Sequence, residues 1–258
     1  MEKIIAVIQA RMGSTRLPGK VLADIEGKPL IWHIFNRLQK ISSISEVIIS
    51  TTNESTDKPL IEFAKKENIA YFAGSENDII DRIYKTGEKF SCDVLVKINA
   101  DCPLIDIKLI ENGINLFISS KNKPDLVTNC VEETFPEGMQ YSIFNFSIIK
   151  KIWLTLKESF WREYFYRFMI ENKNDFSIIN IKNEQDLSKL RWTVDYQEDL
   201  EFVKKIYNKL YSKNQFFGMN EILNLLDENP EIRKINEKYS AKVGINNYNN
   251  SKEKFKNQ

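Results

Sequence analysis

Residues 9–20 read QARMGSTRLPGK and follow the apolar run KIIAVI without a break. A strand-like run that feeds a loop carrying Gly13, Gly19, Ser14, Thr15, Arg11, Arg16 and Lys20 constrains the fold strongly. It is the layout by which an α/β sheet holds phosphate beyond the carboxyl end of a strand. The loop departs from the Walker template G-x-x-x-x-G-K-[S/T], because one residue too many separates the glycines and Val21 follows Lys20. Nor does it fit the dinucleotide fingerprint, since Gly13 and Gly19 do not fall in G-x-G-x-x-G spacing.

Two more runs, EVIISTT (46–52) and DVLVKINA (93–100), have the β-branched character of strands buried on both faces of a parallel sheet. Helical patterns alternate with them. PLIWHIFNRLQKI opens with Pro29 in its first turn and carries the stripe Leu30, Ile31, Ile34, Phe35 and Leu38; KPLIEFAKKE and NDIIDRIYKTGEKF follow, the latter with Asn77 as its cap. The alternation predicts an α/β, Rossmann-like domain with a mostly parallel central sheet. After a helix at 106–118 and strand-like DLVTNC (125–130) it breaks down. Residues 131–190 form an excursion of loop, strand-like YSIFNF, helical stretches and FSIINI, suited to acceptor or dimer contacts. LRWTVDY (190–196) reads as a returning strand ending at Asp195, and EDLEFVKKIYNKL as a helix. A single domain over 1–240 and a flexible tail over 241–258, rich in Asn, Lys and Ser, are expected.

At 258 residues and 42% hydrophobic content the chain can bury a sizeable core. Its 37 basic and 36 acidic side chains leave a charge of +1, with no global field for nucleic acid or an anionic membrane. Cys92, Cys102 and Cys130 are odd in number and accompany the lone histidine, His33, which argues against a disulfide framework or zinc site and for a reducing cytoplasm. The apolar part of the N-terminus is too short for a signal peptide, and no apolar run approaches the roughly 20 residues that span a bilayer.

Three polar features fall at carboxyl ends of predicted strands: the 9–20 loop, INADCP around Asp101, and TVDY around Asp195. The loop offers backbone N–H groups at Gly13 and Ser14, with charge from Arg11, Arg16 and Lys20, enough to cradle a triphosphate. Phosphoryl chemistry of that kind calls for magnesium, and Asp101 and Asp195 are its candidate ligands. Plainer readings stand beside these. Asp101 opens a turn before Pro103; Asp195 with Glu198 forms a capping box; Arg82 makes an ion pair on a helix surface; His33 packs. FWREYFYRF (160–168) stacks on a base, or forms a buried or dimer-facing helix.

Together, QARMGSTRLPGKVL, GSENDIIDRIY (74–84), NADCPLID (99–106) and RWTVDYQEDLEF (191–202) resemble the acylneuraminate and Kdo cytidylyltransferases, in the branch that includes spore-coat polysaccharide biosynthesis protein F. The resemblance implies a nucleotide-diphospho-sugar transferase (GT-A-like) fold. It implies a magnesium-dependent homodimer that joins CTP to a sugar or sugar acid, releasing pyrophosphate, for surface polysaccharide of the cell envelope. On that analogy Ala10, Arg11, Gly13, Ser14 and Asn99 contact the nucleotide, Arg16 and Lys20 hold its phosphates, and Arg82 lies near it. Asp101 and Asp195 hold the metal, while Arg11, Lys20 and Asp101 carry the catalysis.

The middle of the chain departs from the branch. Gln140 and Ser142 stand where a P-x-G-x-D-x-E pattern has acids, Arg162–Tyr166 reads R-E-Y-F-Y in place of R-E-H-V-T, and Lys97 replaces a common arginine. These positions fall where acceptor contacts are expected. A nonulosonic or Kdo-like acid is the first expectation for the acceptor. A sugar phosphate or polyol phosphate, another nucleotide, and a non-catalytic binding module are the alternatives.

Overall fold

The computed structural model describes residues 2–239, 241 and 243–256. In chain order the elements are β1 (Ile4–Gln9), the small hairpin β2 (Asp24–Ile25) and β3 (Lys28–Pro29), α1 (Leu30–Leu38), β4 (Glu46–Thr52), α2 (Lys58–Lys66), β5 (Ala70–Gly74), α3 (Ile79–Lys89), β6 (Val94–Asn99) and α4 (Ile107–Ser119). The excursion supplies β7 (Leu126–Thr128), β8 (Ser142–Asn145), α5 (Phe146–Thr155), α6 (Ser159–Glu163), α7 (Phe165–Glu171) and β9 (Ile178–Asn180). The chain closes with α8 (Gln197–Leu210), α9 (Met219–Glu228), α10 (Pro230–Arg233) and α11 (Val243–Lys256).

The seven-stranded sheet has the order β5-β4-β1-β6-β8-β7-β9. Pairings among β5, β4, β1 and β6 are parallel, as is β7 with β9, while β8 runs antiparallel to both of its neighbours. The predicted α/β class with a mostly parallel sheet therefore holds. The three strands read from apolar runs lie side by side at the centre because both of their faces are buried. Ile4, Ala6 and Ile8 pack into one core with α1, α4 and α8; Ile5 and Val7 pack into the other with α3, α5 and α7. From β1 the chain goes one way to β4 and later the other way to β6, so the carboxyl ends of β1 and β6 flank the switch point where such sheets bind ligands.

Four expectations are corrected. Asp78, not Asn77, caps α3, its carboxylate accepting from Asp81 N at 3.0 Å. LRWTVDY is not a strand: it makes one isolated bridge, Glu137 with Arg191, and is otherwise tied down by single bonds, Trp192 N to Glu137 O (2.7 Å) and Val194 N to Asp101 O (2.9 Å). This close crossing needs Gly138, whose φ is +107° and where a Cβ would come within 2.7 Å of the Trp192–Thr193 backbone. The tail expected to be flexible forms α11, which buries Tyr248. Finally, the 160–168 stretch is two short helices broken at Tyr164, and Phe160 stacks on Phe255 (4.9 Å) and Tyr248 (5.8 Å) of α11. The apolar face that suggested a dimer is thus covered from within the chain.

Candidate active site

The loop after β1 is shaped by its own backbone. Gly19 N donates to Met12 O (3.1 Å), and Gly19 takes φ +73°, a left-handed conformation that favours glycine. Buried Asp57, at the start of α2, accepts from Met12 N (2.7 Å) while its other oxygen accepts from the Thr51 hydroxyl (3.0 Å), so the sheet edge pins the loop. The expected backbone cradle is not presented. Ser14 N donates to Met12 O (2.9 Å), and Gly13 does not line the cavity; a Cβ on it would meet nothing within 4 Å. The loop's polar contribution is therefore made by side chains.

Those side chains border a cavity of about 810 Å³ at the carboxyl ends of β1 and β6. Ala10, Arg11, Ser14, Arg16, Lys20, Arg82, Asn99, Asp101 and Asp195 all line it, so every predicted site residue except Gly13 converges there. Arg11 is exposed and reaches Glu76 at 3.5 Å. Arg82 is buried, not paired on a helix surface: its Nη1 donates to the carbonyls of Ser75 and Glu76, and its Nε has no partner among the described residues. A larger cavity of about 910 Å³ lies at the opposite ends of β4 and β5 and contains none of the site residues.

At the floor, Lys20 Nζ donates to Val194 O (2.6 Å), Asp195 Oδ1 (2.8 Å) and Asp101 Oδ2 (3.2 Å). Arg16 Nη2 lies 2.7 Å from Asp195 Oδ1, and Arg191 Nη2 3.1 Å from Asp195 Oδ2. Arg191, which the sequence reading did not single out, also joins Glu137 (2.7 Å) and Asp199 (2.8 Å) and so fixes the direction in which Asp195 points. The capping reading of Asp195 is displaced by one residue. Tyr196 is the cap position of α8, and Asp199 is the carboxylate that accepts from Asp195 N (2.9 Å) and Tyr196 N (3.0 Å). Asp195 is thereby left to face the cavity.

Burial alone would raise the Asp195 pKa, but Lys20, and then Arg16, outweigh it and hold the carboxyl down at about 2. Burial likewise pushes the Lys20 ammonium down, yet Asp101 and Asp195 outweigh it and raise its pKa above the ordinary value. Both carboxylates thus converge on one compact cationic centre. That donor set fits magnesium, which is held by one or two carboxylates and completes its shell with phosphate and water oxygens. Among the described residues no third His, Cys, Asp or Glu joins them.

A second pocket of about 210 Å³ opens from the first and shares Arg16, Asn99, Asp101, Tyr164 and Asp195 with it. Much of its remaining wall comes from the excursion, including Gln140 and Ser142, the two departures noted above, and Lys97 also lines it. Burial pushes the Lys97 ammonium down to about 8. α11 lies over both openings, with Ser251 and Lys254 on the larger and Tyr248 on the smaller. Lys97 and Tyr164, two of the departures read where acceptor contacts were expected, line the smaller pocket, whereas Gln9 and α11 escaped the sequence reading. His33 packs as expected: it is buried, with Nε2 2.8 Å from Ile25 O, and burial pulls its pKa down to about 4.

The family model described as Cytidylyltransferase matches residues 5–215, a span that holds every cavity-lining residue named above except those of α11. Over 238 residues the chain is 31% identical to the uncharacterized protein MJ1063 of Methanocaldococcus jannaschii, covering 91% of this chain and 94% of that one. It is 25% identical over 238 residues to the spore coat polysaccharide biosynthesis protein SpsF of Bacillus subtilis, covering 90% and 97%. Among solved structures, a cytidylyltransferase from Leptospira borgpetersenii serovar Hardjo-bovis superposes with a TM-score of 0.86 at 32% identity, over 91% of this chain and 98% of that one.

Proposed function

The chain belongs to the cytidylyltransferase family, and from that premise we propose that it transfers CMP from CTP to a hydroxyl of a sugar acid, with release of pyrophosphate. The observation that carries this reading is the junction of the two cavities, where Lys20 and Arg16 meet Asp101 and Asp195. In the proposed arrangement the larger cavity takes the nucleotide and the smaller one the acceptor. The two reactants then meet at the shared wall, and holding them in line accounts for much of the acceleration.

The acceptor hydroxyl releases its proton to solvent as its oxygen forms a bond to the α-phosphorus, the bond to the bridging oxygen breaks, and pyrophosphate departs with that oxygen and its electron pair. Arg11 and Arg16, at the mouth and over Asp195, are placed to bind the phosphate chain. Lys20 is placed to neutralise charge on the non-bridging oxygens. Asp101 and Asp195 are the residues that would hold magnesium, which when bound supplies further charge neutralisation and lowers the pKa of the attacking hydroxyl. His33 is buried in a core and faces neither cavity, so the chain's own acid–base groups at the junction are the two aspartates, Lys20 and the Tyr164 phenol.

The test is pyrophosphate release with CTP and magnesium across a panel of sugar acids and sugar phosphates, beside thermal protection by CTP, GTP, ATP and UTP. A ligand that binds the folded state raises the melting temperature by mass action. Release that requires CTP together with one acceptor supports the assignment. Protection by another nucleotide and none by CTP sinks it.

A further inference from the structure

The smaller pocket contains a cation, Lys97, that no carboxylate among the described residues pairs with. Lys97 sits on β6 two residues before Asn99, on the same face as Leu95, so an otherwise apolar row ends in an ammonium at the pocket. Its Nζ donates to Asn99 Oδ1 at 2.7 Å and lies 5.7 Å from the centre of the Tyr166 ring. An ammonium has three N–H donors, and among the described residues no other hydrogen bond and no ion pair engages it. The neighbouring acids are all taken: Glu133 by Arg167 (3.2 Å), Glu137 by Arg191 (2.7 Å), Asp101 by Lys20 (3.2 Å), and Asp195 by Lys20 and Arg16. Tyr166 Oη accepts from Arg167 Nε (3.2 Å), which leaves its O–H as a further donor on a residue that lines the same pocket. On β8, the partner of Lys97 across the sheet is the neutral Ser142, and Gln140 is neutral as well.

A partly buried charge without a counter-ion is costly unless a ligand supplies one. We propose that Lys97, with the Tyr166 hydroxyl, is the specificity-determining anion subsite for the acceptor, and that the acceptor therefore carries a compact oxyanion, a carboxylate or a phosphate. This rests on the reading that the smaller pocket takes the acceptor. Anchoring the anion there orients the remaining hydroxyls toward Asp101 and Asp195 at the shared wall.

The experiment is calorimetric titration of the CTP-loaded protein with N-acetylneuraminate beside its methyl ester, and with glycerol 3-phosphate beside glycerol, in wild type, Lys97→Met and Lys97→Arg. CTP is titrated first into each protein. Wild type is expected to bind at least one anion about tenfold or more tightly than its neutral counterpart; Lys97→Met should lose about 10- to 100-fold of that affinity, and Lys97→Arg should retain it. Which pair discriminates tells carboxylate from phosphate. CTP affinity and binding of the neutral compounds should not move. Anions that bind no better than their neutral partners, or equal affinity in wild type and Lys97→Met, would overturn the proposal. Anion binding through Lys97 in a protein that fails to bind CTP would uphold the subsite and refute the cytidylyl reading instead.

Discussion

Replacing Lys20 by methionine keeps the aliphatic stem and deletes the ammonium that joins Asp101, Asp195 and Val194 O. Asp195 is only 10% exposed at its side chain, so its charge matters to stability. A carboxyl held at about 2 instead of its ordinary value near 3.8 contributes roughly 2.5 kcal/mol at neutral pH. Arg16 and Arg191 remain on Asp195 in the variant, so only part of that is lost, while the Val194 carbonyl loses a charged donor. The sum is a destabilisation of about 2–3 kcal/mol, which for a chain of this size lowers the melting temperature by roughly 4–12 °C.

The sign with pH follows from the direction of the shift. A carboxyl lowered in the folded state stabilises above its unfolded value, and the contribution fades as pH falls toward about 2. The gap between wild type and Lys20→Met should be full at pH 7 and close below about pH 4. Magnesium should stabilise the variant more than the wild type, because the two carboxylates have lost their ammonium. In the pyrophosphate assay kcat/KM should fall by at least about 100-fold. A variant that melts within about 1 °C of wild type at pH 7 and turns over within about threefold would refute the role given to Lys20.

Three further outcomes are expected. Asp101→Asn should lower turnover by about 100-fold or more while the protein melts close to wild type, since among the described residues the carboxylate's side-chain contacts are Lys20 and the Cys102 thiol; unchanged turnover would remove Asp101 from the site. Truncation after residue 240 should uncover Phe160 and Trp161, shifting tryptophan emission to the red, and raise KM for CTP, because Ser251 and Lys254 line the cavity proposed for the nucleotide; unmoved emission and KM would make α11 irrelevant to the site. His33, held by burial near 4, binds a proton in the unfolded chain first, so stability should fall by up to roughly 3 kcal/mol between about pH 6.5 and 4. Melting curves of His33→Phe against wild type over that range check it: equal slopes would refute the assignment.

The central strands and the loop after β1 were legible because their signals are local. A strand covered on both faces must be apolar at nearly every position, so KIIAVIQ, EVIISTT and DVLVKINA identify themselves, and the sheet order then brings the ends of β1 and β6 together. β5 escaped because it is an edge strand, with every residue only partly buried. The polar geometry of the site was not local. Lys20 meets Asp101 across 81 positions and Asp195 across 175, and no periodicity records such contacts. For Asp195 the local pattern misled by one residue: Asp199 takes the capping bonds, and Arg191 turns Asp195 into the cavity. The last helix shows the same division. Its polar composition reads as a tail, since composition averages over residues, but Tyr248 and Phe255 fall where both meet Phe160. Sequence determined which segments must be buried and where the candidate phosphate-binding groups lie along the chain. Only the tertiary structure decided which charges face one another, because that depends on how distant segments are brought together.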